Sequence, residues 1–506
     1  MALSLARLRR EFPRTVEAFC TLPDRGESAF LHLQQLDSSF GRGLAEKESD
    51  SGRSHERGSF DVVFAGGGLS LIYAAYLSMK GVKVAVFDRR RMGLGHREWN
   101  ISRKELQPLV ASGLFSEAEV QELVLMQYRT GICRFGKGPD YTVSGVLDCV
   151  VDAEGLFREL LARCEKGGVT FFPYRTFLGY SVDEKGEGVI VQMGRLDGPE
   201  DTETLRARLF VDALGAVSPH ARFDLCCPTV GGVMDGLELG DGPLEMNPEV
   251  GEILVTTEGI EQGRQHIWEG FPTASRESTC ANTRQMTIYL FYYLRSELLS
   301  AHGPSPLLSL YERYFETLGR YKRGALRLLR PTYGYIPGYT RLHEMPASPG
   351  DRIFLVGDAA GRHSPLTFCG FGSMIRSFFP ISEGLLGLLE RDRLDAKSLA
   401  ALWFEPPALK VLGGLTLMMS PPLLSDGFEA PDTVNDLLNA AFSSLFAEGE
   451  DTYRRFLQDD VDARTFVRFM WASAHKHPAV YEKAFRYLST QEMATWLYRL
   501  WQLRRG

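Results

Sequence analysis

Within DVVFA at 61–65 apolar residues run unbroken over 62–65 and then recur on one helical face through LSLIYAAYLSMK at 69–80, with Leu71, Ala75 and Met79 in line. A second apolar run, KVAVFD at 83–88, completes a strand–helix–strand unit of the parallel kind. A helix follows at AEGLFRELLARCEKG, with apolar positions 156, 157, 160, 161 and 164. Short strands come next, at VTFF, FLGYSV, GVIVQM and ARLFVDALG. A strand-rich block covers about 225–340 and closes in the Pro- and Gly-punctuated RPTYGYIPGY, after which DRIFLVGD at 351–358 reads as another buried parallel strand. Past about 400 the pattern turns helical, with aromatic and basic residues interleaved through TFVRFMWASAHKHPAVYEKAFRYL and ATWLYRLWQLRR. The polar, Gly- and Ser-rich stretch at 38–59 has no period and reads as a flexible linker.

These patterns predict an α/β chain with an interrupted Rossmann-type domain, a strand-rich second domain and a helical C-terminal lobe. The expected divisions are an N-terminal arm and linker at 1–58 and a discontinuous nucleotide domain at 59–224 and 346–400. A sheet domain is expected at 225–345 and the helical lobe at 401–506.

Composition narrows the function. The chain has 506 residues, 44% of them hydrophobic, which suits two cores better than one. Its 57 Lys and Arg against 64 Asp and Glu give a net charge of −7, without the basic field that nucleic acid requires. The eight Cys follow no metal or disulfide spacing and point to a reducing compartment, and His475 and His477 lack the partners of a metal site, so no metal is expected. No apolar run reaches the roughly 18 to 20 residues of a spanning helix.

The turn AGGGLSL at 65–71 carries the candidate chemistry. In a Rossmann turn one glycine makes the bend, a second lets the backbone approach a pyrophosphate, and the helix start directs its free N–H groups at that anion. Gly66 and Gly68 fit these roles, while Leu71 stands where Gly or Ala allows closest packing. Asp88 ends the next strand about 20 residues on, where an acid accepts ribose hydroxyls, with Arg89 beside it.

The segment DRIFLVGDAAGRHSPLTFCGFGSMIRS at 351–377 resembles the second dinucleotide motif of the FAD-dependent hydroxylase and reductase superfamily. Gly357 and Asp358 match its flavin-binding pair, and Pro365, Gly370 and Gly372 match its Pro- and Gly-rich turn. VDALGAVSPHAR at 211–222 is similar to the intermediate motif, through Asp212, Gly215 and Ser218, with Leu214 where an acid often stands. The three motifs in this order favour FAD over NAD.

REWNISRKEL at 97–106, CCPTVGGVMDG at 226–236, HIWEGFP at 266–272 and EPPALKVLGGLTLMM at 405–419 narrow the resemblance to the CruA and CruP type lycopene cyclases, from about residue 60 to the C-terminus. The resemblance implies noncovalent FAD, active when reduced, with NAD(P)H or another reductant as electron source. It implies a linear C40 carotenoid, lycopene, as substrate, and peripheral contact with a photosynthetic membrane on its cytoplasmic face, or in a plastid. The implied reaction is a non-redox cyclisation: an acid protonates a terminal double bond, a second double bond attacks the cation, and a neighbouring proton leaves to give an ionone ring. Such a site requires a neutral carboxylic acid in apolar surroundings.

Two glutamates are candidates for the acid. Glu269 lies between Trp268 and Gly270, where an apolar setting keeps a carboxyl protonated, whereas Glu98, beside Trp99, has basic neighbours. The paired glutamates of the related bacterial and plant β-cyclases are not found. In YLFYY at 289–293, Tyr289, Phe291 and Tyr293 share one strand face and, with Trp268, are candidates to contact substrate. An FAD monooxygenase or reductase of an apolar substrate, and a non-cyclising pigment-binding protein, are the alternatives. Oligomeric state is left open.

Overall fold

The computed structural model describes residues 5–39, 54–94, 99–183, 185–196, 202–221, 223–274, 283–302, 305–342, 349–362, 364, 366–367, 370–403, 409–421 and 430–505. Among them a seven-stranded sheet forms the first lobe. Its centre is the strand Ser54–Ala65, parallel to Val84–Asp88 on one side and to Thr202–Asp212 on the other. Thr170–Pro173 extends the first side and Ile353–Leu355 pairs in parallel with Thr202–Asp212. Val189–Arg195 and Arg175–Val182 continue the sheet as antiparallel strands. The chain therefore leaves this sheet after Asp212 and comes back to it at Ile353, so the nucleotide-type lobe is interrupted, as its pattern predicts.

The helix Leu71–Met79 is buried from Leu71 to Ser78, which explains why its sequence is apolar on every side. It packs under the helices Ala153–Lys166 and Gly370–Glu390, and the three close a core over one sheet face with Val62, Phe64, Val84 and Val86.

The second lobe is an eight-stranded, mostly antiparallel sheet whose central strands are Leu225–Leu237, Gln285–Phe291, Ile267–Thr273 and Val250–Thr256. Gly324–Gly338 pairs antiparallel with Leu225–Leu237. This sheet also takes Thr130–Phe135 and Tyr141–Val143 from within 59–224, the first pairing in parallel with Val250–Thr256. A strand's alternation marks which face is buried and carries no mark of which sheet receives it.

Both faces of the second sheet are covered. On the back, Trp268, Ile288 and Met234 pack with the helix Pro306–Tyr321 and with the N-terminal helices Leu5–Glu11, Pro13–Phe19 and Glu27–Ser39. The N-terminal arm is thus a folded layer, held by Phe12, Val16, Phe19, Phe30 and Leu33 and by the Thr15 amide donating to Glu312 at 3.0 Å. On the front, Ile267, Phe271 and Phe291 meet the C-terminal helices between Leu409 and Arg505. The expected linker at 38–59 lies largely at 40–53, outside the described residues, and the first strand begins at Ser54, where it pairs with Thr202. Among the described residues no helix is long and apolar enough to cross a membrane, and no cluster of His, Cys, Asp and Glu could hold a metal.

Candidate functional site

The strand Ser54–Ala65 delivers the glycine turn to the carboxyl edge of the first sheet, where ligands bind in folds of this kind. Gly66 has φ +113°, and a Cβ there would lie 2.3 Å from the Ala213 carbonyl oxygen, so the bend admits only glycine. Gly68 differs: a Cβ on it would meet nothing within 4 Å, because its Cα faces open space. Asp88 accepts hydrogen bonds from the Gly67 amide at 2.8 Å and the Arg90 amide at 2.7 Å, which fixes the turn against the end of the second strand.

That open space is part of a cavity of about 410 Å³ between the two lobes. Gly68 and Arg90 line it from the first motif, Gly215 from the intermediate motif, and Gly357, Asp358, Gly370 and Gly372 from the third. A Cβ on Gly215 would lie 4.0 Å from Asp358 Oδ2, so the intermediate and third motifs adjoin. Gly370 opens the 21-residue helix Gly370–Glu390, whose N-terminal end therefore faces the cavity. Arg89 is exposed and its neighbour Arg90 reaches the cavity instead. Pro365 and Glu98 lie outside the described residues. A glycine with space over its backbone, two helix starts and a carboxylate facing one cavity fit an FAD held by its pyrophosphate and hydroxyl groups.

The opposite wall is the front face of the second sheet. Glu269 and Tyr289 are directly paired across neighbouring strands, as are Phe291 and Thr229, and all four side chains line the cavity together with Phe271. Because side chains alternate along a strand, Trp268 turns to the back, where it stacks on Tyr321 at 4.6 Å between ring centres. Trp268 is therefore not a cavity residue. Tyr293 lies beyond the strand, donates its hydroxyl to the Leu366 carbonyl at 2.5 Å, and does not line the cavity either.

Glu269 is half-buried, with its carboxyl toward the cavity, and has no hydrogen-bond or ion-pair partner among the described residues. Burial without a compensating charge raises its pKa from an ordinary 4.5 to about 8. At neutral pH that shift favours a protonated carboxylic acid beside Phe271, Tyr289 and Phe291, the state required of a proton donor.

Three further groups were not marked by sequence pattern. Trp99 stacks on Phe371 at 4.7 Å and both line the cavity, joining the three-stranded sheet of Trp99–Ile101, Cys149–Val151 and Val124–Gln127 to the third motif. Thr332 lines the cavity with a hydroxyl that has no hydrogen-bond partner among the described residues. Asp459 comes from the C-terminal lobe, accepts from the Thr367 hydroxyl at 2.7 Å, and is pushed by burial to a pKa of about 6. Alternation from Glu269 to Phe271 could have identified Phe271. The other contacts join residues tens to hundreds of positions apart.

No protein-family profile and no curated protein sequence matches this chain. Solved structures do. A geranylgeranyl bacteriochlorophyll reductase-like protein from Thermoplasma acidophilum superposes with a TM-score of 0.57 at 13% identity, covering 86% of this chain and 100% of that one. The halogenase PltM, in complex with phloroglucinol and FAD, gives 0.56 at 13% identity over 86% and 96%. A flavoprotein/dehydrogenase from Cytophaga hutchinsonii gives 0.50 at 12% identity over 79% and 92%. The chain thus shares the fold of these solved structures, one of which holds FAD, with an α/β lobe, a second sheet and a helical C-terminal region.

Proposed function

We propose that this protein binds FAD in the glycine-lined cradle and cyclises the end groups of a linear carotenoid, as lycopene cyclases do, with Glu269 as the acid. The carrying observation is the Glu269 carboxyl, unpaired among the described residues and raised to about 8 by burial, in the same cavity as Gly68, Gly215 and Asp358. Reduced FAD, when bound, supplies negative charge that stabilises a carbocation nearby.

The chain's own residues do the rest. Glu269 gives its proton to a terminal double bond, the neighbouring double bond attacks the resulting cation, and the carboxylate so formed takes back a proton from the new ring. The product is an isomer and the acid is regenerated. Tyr289, Phe271 and Phe291 flank the carboxyl with aromatic surface, which attracts a desolvated cation and excludes water. Among the described residues no Lys or Arg of this sheet lines the cavity beside Glu269, which suits a neutral hydrocarbon. Reductase and monooxygenase chemistry on the same fold require other products.

Expression in a lycopene-accumulating host, with chromatography and mass measurement of the pigments, tests the proposal. A cyclised product of unchanged mass supports it. A product heavier by two hydrogens or by one oxygen assigns the site to a reductase or a monooxygenase, and unchanged lycopene beside flavin-loaded protein refutes catalysis on that substrate.

A further inference from the structure

The helix Thr490–Arg505 has two apolar faces. One packs inward: Trp496 is buried and donates its indole N–H to the Val411 carbonyl at 2.8 Å, with Met493, Leu500 and Leu503 against the same core. The other faces solvent. Leu497 is 50% exposed, Tyr498 56% and Trp501 47%, and the two aromatic rings stack at 5.9 Å. Positions 494, 497, 498 and 501 recur at helical spacing, so these side chains form one continuous outward stripe. On the helix Ala463–Lys476, which packs against this one, Trp471 is 75% exposed.

Charge says what covers the stripe. Residues 463–505 contain eight Lys and Arg, at 464, 468, 476, 483, 486, 499, 504 and 505, against two acids, Glu482 and Glu492. Glu492 is itself buried against Arg295 at 2.6 Å. By sequence this segment is positive by six charges in a chain that is negative by seven, and Glu448, 2.6 Å from Arg468, offsets one of the six from outside it. A symmetric pairing of two copies through the stripe would bring two such positive surfaces together, which like-charge repulsion opposes. Exposed Trp and Tyr set among Lys and Arg match instead the interface of an anionic bilayer, where the rings enter the headgroup layer and the cations meet lipid charge.

We propose that the outward face of Thr490–Arg505 docks this protein on an anionic lipid surface, through Leu497, Tyr498 and Trp501 with the surrounding positive charge. The docking does not depend on the reaction catalysed.

The test uses the full-length protein and vesicles of phosphatidylcholine alone or with roughly a third phosphatidylglycerol, separated by flotation. The protein should bind the anionic vesicles at least about tenfold more tightly than the neutral ones, lose that preference as salt is raised, and show a blue shift of tryptophan emission on binding. A Tyr498→Ala, Trp501→Ala double variant should bind about fivefold or more weakly with an unchanged unfolding midpoint, since both side chains are outward. Leu497→Glu, which adds a negative charge to the same face, should do likewise. Equal or absent binding to the two vesicle types, or undiminished binding by these variants, overturns the proposal. So does a dimer in solution that the double variant dissociates, because the stripe then belongs to a second copy.

Discussion

A buried acid that waits protonated must weaken the fold as pH rises, and Glu269 allows this to be measured. Below pH 4.5 the carboxyl is protonated in both folded and unfolded chains and contributes no pH dependence. Between 4.5 and about 8 the unfolded chain releases the proton while the folded chain keeps it, so stability falls with rising pH; above about 8 both forms are ionised and the loss levels off. At about 1.4 kcal/mol per pH unit, the interval from 4.5 to 8 gives a loss of about 5 kcal/mol, reduced toward 3 where the cavity admits water. Glu269→Gln keeps the shape and cannot ionise, so it lacks this slope. Urea unfolding of both proteins at matched flavin content, from pH 4 to 9, isolates the acid as the difference between the two curves. That difference should change by about 3 to 5 kcal/mol with its steep part between pH 5 and 8. Parallel curves, or a difference already complete by pH 5, would mean that Glu269 has an ordinary carboxyl, and the proposed proton donor would fail with it.

The same acid sets the activity profile: product formation in flavin-loaded protein should fall as pH rises through about 8, whereas a limb near 4.5 would point to another group. Gly68→Val should retain the fold and lose FAD, because its side chain enters open space in the free protein and occupies the pyrophosphate's approach; absorbance of the purified variant near 450 nm, on the order of the usual flavin band, reads this out. Gly66→Val should instead lose the fold, since its Cβ would sit 2.3 Å from the Ala213 oxygen, and thermal melting separates the two glycines. Lys322→Met should destabilise the protein by about 3 to 5 kcal/mol by stranding the buried Glu252, with recovery in a double variant that also carries Glu252→Gln; equal losses in the single and double variants would refute the pairing.

Much of the first lobe was legible because its signals are local. The bend at Gly66 and the helix that follows lie within twenty residues, and their pattern states both the element and its burial. The apolar surroundings of Glu269 were legible for a similar reason, since Ile267 and Phe271, two residues to either side, share its strand face. Trp268 was not. Its adjacency to Glu269 suggested a shared site, but strand alternation sends the two side chains to opposite faces, and the indole belongs to the back core with Tyr321. The assumed face of YLFYY held for Tyr289 and Phe291, which lie within the strand, and ended where the strand ends, before Tyr293. The packed N-terminal helices and the transfer of Thr130–Phe135 to the second sheet depend on partners more than a hundred residues away, which no local pattern encodes.

One sheet also holds two glutamates in opposite settings, and the contrast bears on the choice of acid. Glu252 stands across from Gly270 on the back face, buried, with Lys322 Nζ at 2.8 Å, so its negative charge has a partner. Glu269, one residue along the neighbouring strand from Gly270, faces the front and meets no cation among the described residues. Glu252 is buried beside a cation, whereas Glu269 is half-buried and has no cation beside it among the described residues. Burial without a cation favours the protonated form of Glu269. A proton available for donation at neutral pH is thus expected on the cavity side of the sheet, at Glu269. The fold secures this by alternation: the lysine that would have ionised Glu269 is held on the other face, behind Gly270 and the Trp268–Tyr321 stack.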